Sequence, residues 1–463
     1  MKTDRRAEGR TGRALQWLAL LLLVCPAARL SAQDSTVDRG VRIGITYRPG
    51  VRPGLVVLPV SAGSLDSVRA IVARDLDYSD RYEVITLPGG DSLDPGPSGP
   101  SGTPTSHTAT RLAGLNYSLY QALGADFAVQ FRTSADSVVL LLHDVTAGAV
   151  RRSFTARLPA PGDAGYRMAV HRLADLVIQA SLGAVGTSAT RILFVKDKHV
   201  WSVDQDGTNL KLVSSATKEA LSPAWSADGK KVAYMEFNGG HGQINLLDLA
   251  TGKRSVVYGS TGKYSDFTPA FSPDGKTITF SRATEEGTDL WSVNFRDACC
   301  LQRLTVGRFS DNLSPTYSPD GRRIAFVSTR PGLAQIYVMG ADGTDQQLFA
   351  PFDYGVSGSS NAPDWSPDGL SVAFHRDVGG TLQVFVLDVR KGTVKQLTSL
   401  GRNEDPTWAP DSRHVAFVSD RAGYRQLWII DLETGRIRPL LQQSGERLPA
   451  WSPRLPEAAS ATP

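Results

Sequence analysis

One short pattern recurs six times in the second half of this chain: a proline, any residue, an aromatic, Ser or Ala, and usually Pro-Asp-Gly. The copies start at Pro223, Pro269, Pro315, Pro363, Pro406 and Pro449, at successive spacings of 46, 46, 48, 43 and 43 residues. A fixed period in that range marks a propeller or solenoid rather than a single-core enzyme domain. In the copy at Pro315, Tyr317 closes a strand, Pro319-Asp320-Gly321 turns, and Ile324-Ala325-Phe326 opens the next. Proline fixes φ in such a turn and glycine accepts the positive φ that other residues resist. Each copy then carries another short apolar run, such as Ile336 to Met339 or Leu427 to Ile430, an Asp/Gly turn, and a fourth short strand such as Arg438 to Leu440. Four strands per unit make one propeller blade.

The ends of the array fix the blade number. The first unit, Arg191 to Val213, lacks a Pro-x-aromatic segment before it, and the last, Leu448 to Pro453, is such a segment with nothing after it. Joined, they complete a sixth blade, closing the ring with the C-terminal strand and leaving no open sheet edge. The expected propeller spans residues 187–455, with 456–463 as a tail.

The 463 residues leave room for more. Lys2, Arg5, Arg6, Arg10 and Arg13 precede an apolar run from Ala14 to Val24 and small residues up to Ala32. That is the layout of a secretory signal, too short to anchor in a membrane. Removing residues 1–32 leaves 44 basic and 44 acidic side chains, so the basic pI carries no case for nucleic acid or an anionic membrane. Cys25 follows Leu22-Leu23-Val24, a poor imitation of a lipoprotein signal because Val24 precedes it and Pro26 follows, and is expected to be an ordinary leader residue. The adjacent Cys299 and Cys300 have no other partner, so no disulfide framework is expected.

Residues 33–186 read as a mixed α/β domain. Strands are expected at Val41–Thr46, Gly54–Val60 and Arg81–Ile85, and three more between Phe127 and Ala156. Leu65, Val68, Ile71, Val72 and Leu76 have helical spacing, and further helices are expected at Leu112–Leu123 and Gly162–Leu182. A Pro/Gly/Ser/Thr-rich surface loop covers residues 88–110.

A leader, the Val41-Arg42-Ile43 strand, an α/β domain carrying Leu115-Asn116-Tyr117 and Ala122-Leu123-Gly124-Ala125-Asp126, and six Pro-x-aromatic repeats together resemble the TolB family. Its members are periplasmic propeller components of the Tol-Pal cell-envelope system. The resemblance implies a periplasmic adaptor supporting outer-membrane integrity and cell division, and a closed ring, with no obvious edge for self-association, makes a monomer the expectation. Its propeller would hold an OmpA-like lipoprotein, Pal, and Val41, Arg42 and Ile43 would be offered by strand addition to the inner-membrane protein TolA. The 88–110 loop is longer than the family needs.

Catalytic parts are sparse. There is no Gly-x-Ser-x-Gly elbow, Gly259-Ser260-Thr261-Gly262-Lys263 lacks phosphate-loop spacing, and the seven histidines are scattered, with no metal-ligand pair. No cofactor or metal is expected. Asp204-Gln205-Asp206-Gly207 starts like a calcium loop but lacks the closing Glu. The recurring Asp228, Asp274, Asp320, Asp368 and Asp411 are turn residues, and Arg282, Arg330, Arg376 and Arg421 are expected to tie adjacent blades. The residues opening each innermost strand should rim one channel mouth: Lys218, Glu219, Asp266, Asp311, Asn312, Asn361, Asn403, Glu404, Asp405, Glu446 and Arg447. Carboxylates and amides there suit a protein loop presenting Lys, Arg or backbone groups. A channel-mouth hydrolase or lyase would need a histidine matched to those carboxylates, and a sugar- or peptidoglycan-binding propeller would need Trp225, Trp365, Trp408 and Trp451 free for stacking rather than packed between blades.

Overall fold

The computed structural model describes residues 52–60, 63–87, 115–163, 165–258, 262–352 and 358–456. The leader at 1–32, the Val41–Thr46 strand with Arg42 and Ile43, the 88–110 loop and residues 457–463 lie outside the described residues.

Each Ser-Pro-Asp-Gly turn is built by its own side chains. Ser318 Oγ donates to Asp320 Oδ1 at 2.6 Å, and the same oxygen accepts from Arg322 N at 3.1 Å. Gly229, Gly275, Gly321 and Gly369 take φ of 66°, 66°, 70° and 75°. At the copy reading Ala409-Pro410-Asp411-Ser412, the serine adopts φ 54° in glycine's place. These turns join the first and second strands of antiparallel hairpins, and among the described residues the hairpins assemble into six four-stranded sheets.

The innermost strands are Ala220–Trp225, Ser265–Phe271, Asn312–Tyr317, Ser360–Trp365, Asn403–Trp408 and Arg447–Trp451. The last completes the first blade by pairing antiparallel with Arg191–Lys196, Ala450 opposite Leu193 and Trp451 opposite Ile192. Six blades closed by the C-terminal strand are therefore present. The second strand of every blade places one aromatic at an equivalent position: Phe194, Tyr234, Phe280, Phe326, Phe374 and Phe417, all less than 2% exposed. Each such side chain contributes about 1.5–3 kcal/mol by leaving water. The inner-strand tryptophans are structural too: Trp225 Nε1 donates to Ala450 O and Trp408 Nε1 to Asp364 O, both across blade boundaries.

Three of the recurring arginines differ from expectation by tying strands within a blade, while Arg376 also makes the expected backbone contact to the segment after the preceding blade's outer strand. Arg282 holds Asp266 with two bonds of 2.7 and 2.9 Å, and Arg330 and Arg421 each reach the inner-strand Asn312 or Asn403 at 3.0 Å. Arg376 bonds Ser360 at 3.0 Å and the Ala350 carbonyl at 2.6 Å.

Before the propeller lies a five-stranded sheet in the order β2 (Glu83–Ile85), β1 (Gly54–Val57), β3 (Phe127–Ser134), β4 (Ser137–Asp144), β5 (Ala149–Ala156). Strand β1 runs parallel to both neighbours, and β3 to β5 form an antiparallel meander. Helices α1 (Gly63–Tyr78) and α3 (Tyr166–Leu182) bury Leu65, Val68, Val72, Val170, Leu173 and Val177 in its main core, and α2 (Tyr117–Ala122) precedes β3. Strand β1 ends at Val57, short of the expected Val60, as Pro59 cannot donate to the ladder. Helix α3 starts at Tyr166 because Gly162 is left-handed, φ 102°, and it ends on left-handed Gly183. The Ala-Leu-Gly-Ala-Asp segment has a packing reason: a Cβ on Gly54 would lie 2.0 Å from the Gly124 carbonyl oxygen, while Asp126 Oδ2 accepts from Gly54 N at 2.8 Å.

Candidate partner-binding face

The channel is pinched by a repeated backbone device. The residue before each inner-strand proline (Ser222, Thr268, Ser314, Ala362, Asp405 and Leu448) is left-handed, with φ between 47° and 54°. Each sits where the register to the second strand shifts. Such a bulge sharpens strand twist, and a non-glycine residue held there stores strain. The neck opens towards the Pro-Asp-Gly turns as a cavity of about 540 Å³ lined by the six inner-strand prolines and their neighbours. Its carboxylates are Asp364 and Asp405. Burial pushes Asp364 up to about 6, and burial together with Glu404 does the same to Asp405. Beside Asp405, His375 accepts from its backbone N–H at 3.1 Å, and burial lowers the imidazole to about 4.

The turn end carries the α/β domain. Burial alone would lower the pKa of His414, but Asp411, 2.8 Å from Nδ1, and Asp80, 3.4 Å from Nε2, outweigh it and raise it to about 9. Arg436 bonds Asp77 and Asp80 at 2.9 and 3.0 Å, and Arg81 reaches Asp411 at 3.2 Å. A second network joins α1 and α3 to the Asp204–Gly207 turn: Arg74 and Arg167 both engage Asp206, and Asp75 accepts from His171 Nδ1 at 2.6 Å. The ligand atoms of Asp75, His171 and Asp206, and of Asp80, His414 and Asp431, lie within 4.8 Å of one another. Asp206, Asp80 and Asp431 already face arginines and Asp75 faces His171, so both sets form ion networks tying the α/β domain to the propeller. Histidines and aspartates far apart in sequence form them, which is why spacing did not reveal them.

The opposite end holds the strand starts, and the structure divides the expected rim. Lys218 and Glu219 are exposed, paired with Glu236 at 3.1 Å and Lys198 at 2.6 Å. Asp311, Asn361 and Arg447 are half-buried, with no side-chain hydrogen bond or ion pair among the described residues. Glu404 lies 3.1 Å from Arg402 and 3.4 Å from Arg425. Four residues are turned inward instead. Asp266 is locked to Arg282; Asn312 spans Asp289 and Ser328; Asn403 spans Gln383 and Arg421; and Glu446 is fully buried, its pKa raised by that burial. Asp266, Asn312 and Asn403 satisfy buried groups at the root of the loops, as such groups require, whereas the Glu446 carboxylate has no hydrogen-bond partner among the described residues, lies 4.0 Å from Lys196, and is closed off from a partner by its burial. Asp405 sits deeper, at the neck.

Sequence reasoning missed the apolar part of this end. Val306, Phe309 and Leu400 lie on loops entering inner strands, and Leu333 and Tyr424 lie on turns between second and third strands, which antiparallel pairing brings to the same end. They are 72%, 93%, 67%, 51% and 46% exposed. Phe309 is held out by a left-handed φ of 58° and a backbone bond to Glu286 O at 3.0 Å. Apolar residues inside glycine-containing loops, such as Val306-Gly307 and Leu400-Gly401, were the available signal.

A family model described as the TolB beta propeller domain matches residues 181–355 and 354–457. The chain belongs to the TolB family. The crystal structure of TolB from Acinetobacter baumannii is similar over 88% of this chain and 98% of that one, with a TM-score of 0.71 and 26% identity. Among curated relatives, the Tol-Pal system protein TolB of Methylococcus capsulatus is 32% identical over 260 residues, 53% of this chain and 55% of that one. A TolB homolog of Chlorobium chlorochromatii is 31% identical over 221 residues, 47% and 49% of the two chains. The chain thus spans about half the length of the curated relatives it matches. The TolB fold seen in the Acinetobacter protein includes the α/β part as well as the ring, since nearly all of that chain is covered.

Proposed function

We propose that this TolB-family chain is an exported, periplasmic, non-catalytic adaptor of the Tol-Pal system. It works as a monomer, taking the periplasmic domain of an OmpA-like, Pal-type lipoprotein at the strand-start mouth of its propeller. Val41, Arg42 and Ile43 are offered to a TolA-type inner-membrane protein, which links the two membranes and supports outer-membrane integrity at division. The observation that carries this is the contrast between the two channel ends. At the turn end, ion networks tie the propeller to the α/β domain, whereas the strand-start end presents Asp311, Asn361 and Arg447 without side-chain partners beside exposed Phe309 and Leu400. Exposed aromatic and aliphatic side chains set beside polar groups with no partner of their own suit a protein-binding surface. A Tol-Pal relative, the Methylococcus protein, supports the choice of partner class. Among the described residues no helix is long and apolar enough to cross a membrane.

The test is a titration of residues 33–463 against the same organism's OmpA-like lipoprotein domain, repeated with Asp311→Ala, Asn361→Ala and Glu404→Ala. Saturable binding weakened about 5-fold to 30-fold by each change, or about 1–2 kcal/mol, is expected. Absence of binding by a folded chain at high micromolar concentration sinks the proposal.

A further inference from the structure

The chain contains three cysteines, and two of them are neighbours in the outer strand of the third blade, Cys299–Arg303. Regular strands send successive side chains to opposite faces. Here that alternation is broken: Ala298 and Cys300 are left-handed, with φ of 49° and 62°, and the pairing to the third strand shifts between Ser292 and Asn294. Neither thiol is in a disulfide; Cys299 is half-buried and Cys300 exposed. The neighbouring Cys300 thiol, then partial desolvation, raise the Cys299 pKa above its usual value. Among the described residues each has only the other as a cysteine partner.

We propose that Cys299 and Cys300 form a vicinal dithiol site for thiophilic electrophiles, closed reversibly into a ring by a disulfide oxidant and bridged by trivalent arsenic. In the oxidative step one cysteine thiolate attacks a small disulfide, forming a mixed disulfide and expelling one thiolate. The other cysteine loses its proton to solvent and attacks the protein-side sulfur, expelling the second thiolate. A Cys299–Cys300 bond has then formed, two protons have left, and the oxidant has been reduced to two thiols. With an arsenic(III) oxide the balance is different: two As–S bonds form, one water leaves, and nothing is oxidised. Consecutive Cα atoms are about 3.8 Å apart, short of the roughly 4.4–6.8 Å of relaxed disulfides. The ring is therefore strained and readily reduced, the property of a labile rather than a structural disulfide. The export reading supplies only the compartment in which an oxidant would be met.

The experiment uses the whole mature chain, reduced, then treated with oxidised glutathione, quenched and analysed by intact mass with and without iodoacetamide. The expected product is two hydrogens lighter, carries no glutathione, and takes up no carbamidomethyl groups where the reduced chain takes up two. Dithiothreitol restores both. Cys299→Ser and Cys300→Ser, which leave the other thiol stranded, should accumulate the glutathione adduct that the parent resolves. In parallel, phenylarsine oxide should bind the parent one to one and resist an excess of monothiol, while either variant releases it. A parent that keeps glutathione, forms disulfide-linked dimers or remains fully alkylatable overturns the proposal, as does equal release of arsenical by parent and variants. None of these outcomes depends on lipoprotein binding.

Discussion

Replacing His414 with Gln isolates one ion network between the α/β domain and the propeller, and its effect can be worked out in sign and size. An imidazole that titrates at 6.5 when unfolded and about 9 when folded binds its proton more tightly in the native state. At about 1.4 kcal/mol per unit, the rise is worth about 3 kcal/mol. Because the folded pKa is the higher one, that stability is present in full below pH 6.5 and drains away as pH climbs through 9. Asp411 feels the same interaction from the other side: burial opposes its charge, but His414 and Arg81 hold it below the usual carboxylate range. Its arm of the dependence lies at acid pH, so the pair is counted once. Gln keeps two hydrogen-bonding atoms but cannot take the proton. Urea unfolding of parent and His414→Gln chains from pH 6 to pH 10 should show a stability gap that narrows by about 3 kcal/mol across the window. His171 also has a raised pKa, through Asp75, Asp206 and Asp204 overcoming burial, but it is common to both chains and cancels in the difference. A gap of constant size from pH 6 to pH 10 would refute the reasoning.

Other outcomes follow from the same geometry. Asp405→Asn should stabilise the fold at pH 8 by up to about 3 kcal/mol and do little at pH 3.5, because a carboxyl raised to about 6 costs stability as pH rises through that value; denaturant midpoints at the two pH values check it. Arg282→Met should cost about 3–5 kcal/mol by stranding the buried Asp266 carboxylate, and adding Asp266→Asn should recover most of the loss, a double-mutant cycle that fails if the two effects simply add. Phe326→Ala removes one of the six equivalent buried rings and should cost about 3–5 kcal/mol in chemical unfolding, whereas Phe309→Ala, 93% exposed, should leave the midpoint within about 0.5 kcal/mol.

The ring was legible because its determinants are local and repeated. Pro-Asp-Gly turns, strand lengths and the missing and surplus strands at the array's ends each act over a few residues, and closure of Arg447–Trp451 on Arg191–Lys196 follows from counting. The proposed binding face was half legible. Position in the repeat places Asp311 and Asn312 together at a strand start, but period-two alternation sends one outward and buries the other, and which is which depends on register. Asp266 and Glu446 belong to the buried set for the same reason. The histidine networks were illegible: His171 meets Asp75 across 96 residues and His414 meets Asp80 across 334. Nothing in local spacing encodes a contact between domains.

The division of labour between the two channel ends has a physical basis. The turn end is made of Asp-rich turns whose side chains are already spent on their own backbone, as Asp228 is on Lys230 N and Asp274 on Lys276 N. Such an end can be engaged by arginines from outside but cannot vary much without losing its turns. The strand-start end has no comparable obligation. Its loops differ from blade to blade, from the tight Arg330–Gly332 and Arg421–Gly423 corners, each stapled to an inner-strand asparagine, to hairpins turning at Gly239-Gly240 and Gly379-Gly380. Variation anchored on a rigid ring is what a recognition surface requires. The buried asparagines and Arg282–Asp266 pair then acquire a purpose beyond stability: they fix the loop roots, so that Phe309 and Leu400 are presented in place. On that argument, substitutions at Asn312 or Asn403 should weaken binding of the proposed lipoprotein partner without touching it, by loosening the loops that carry Phe309 and Leu400.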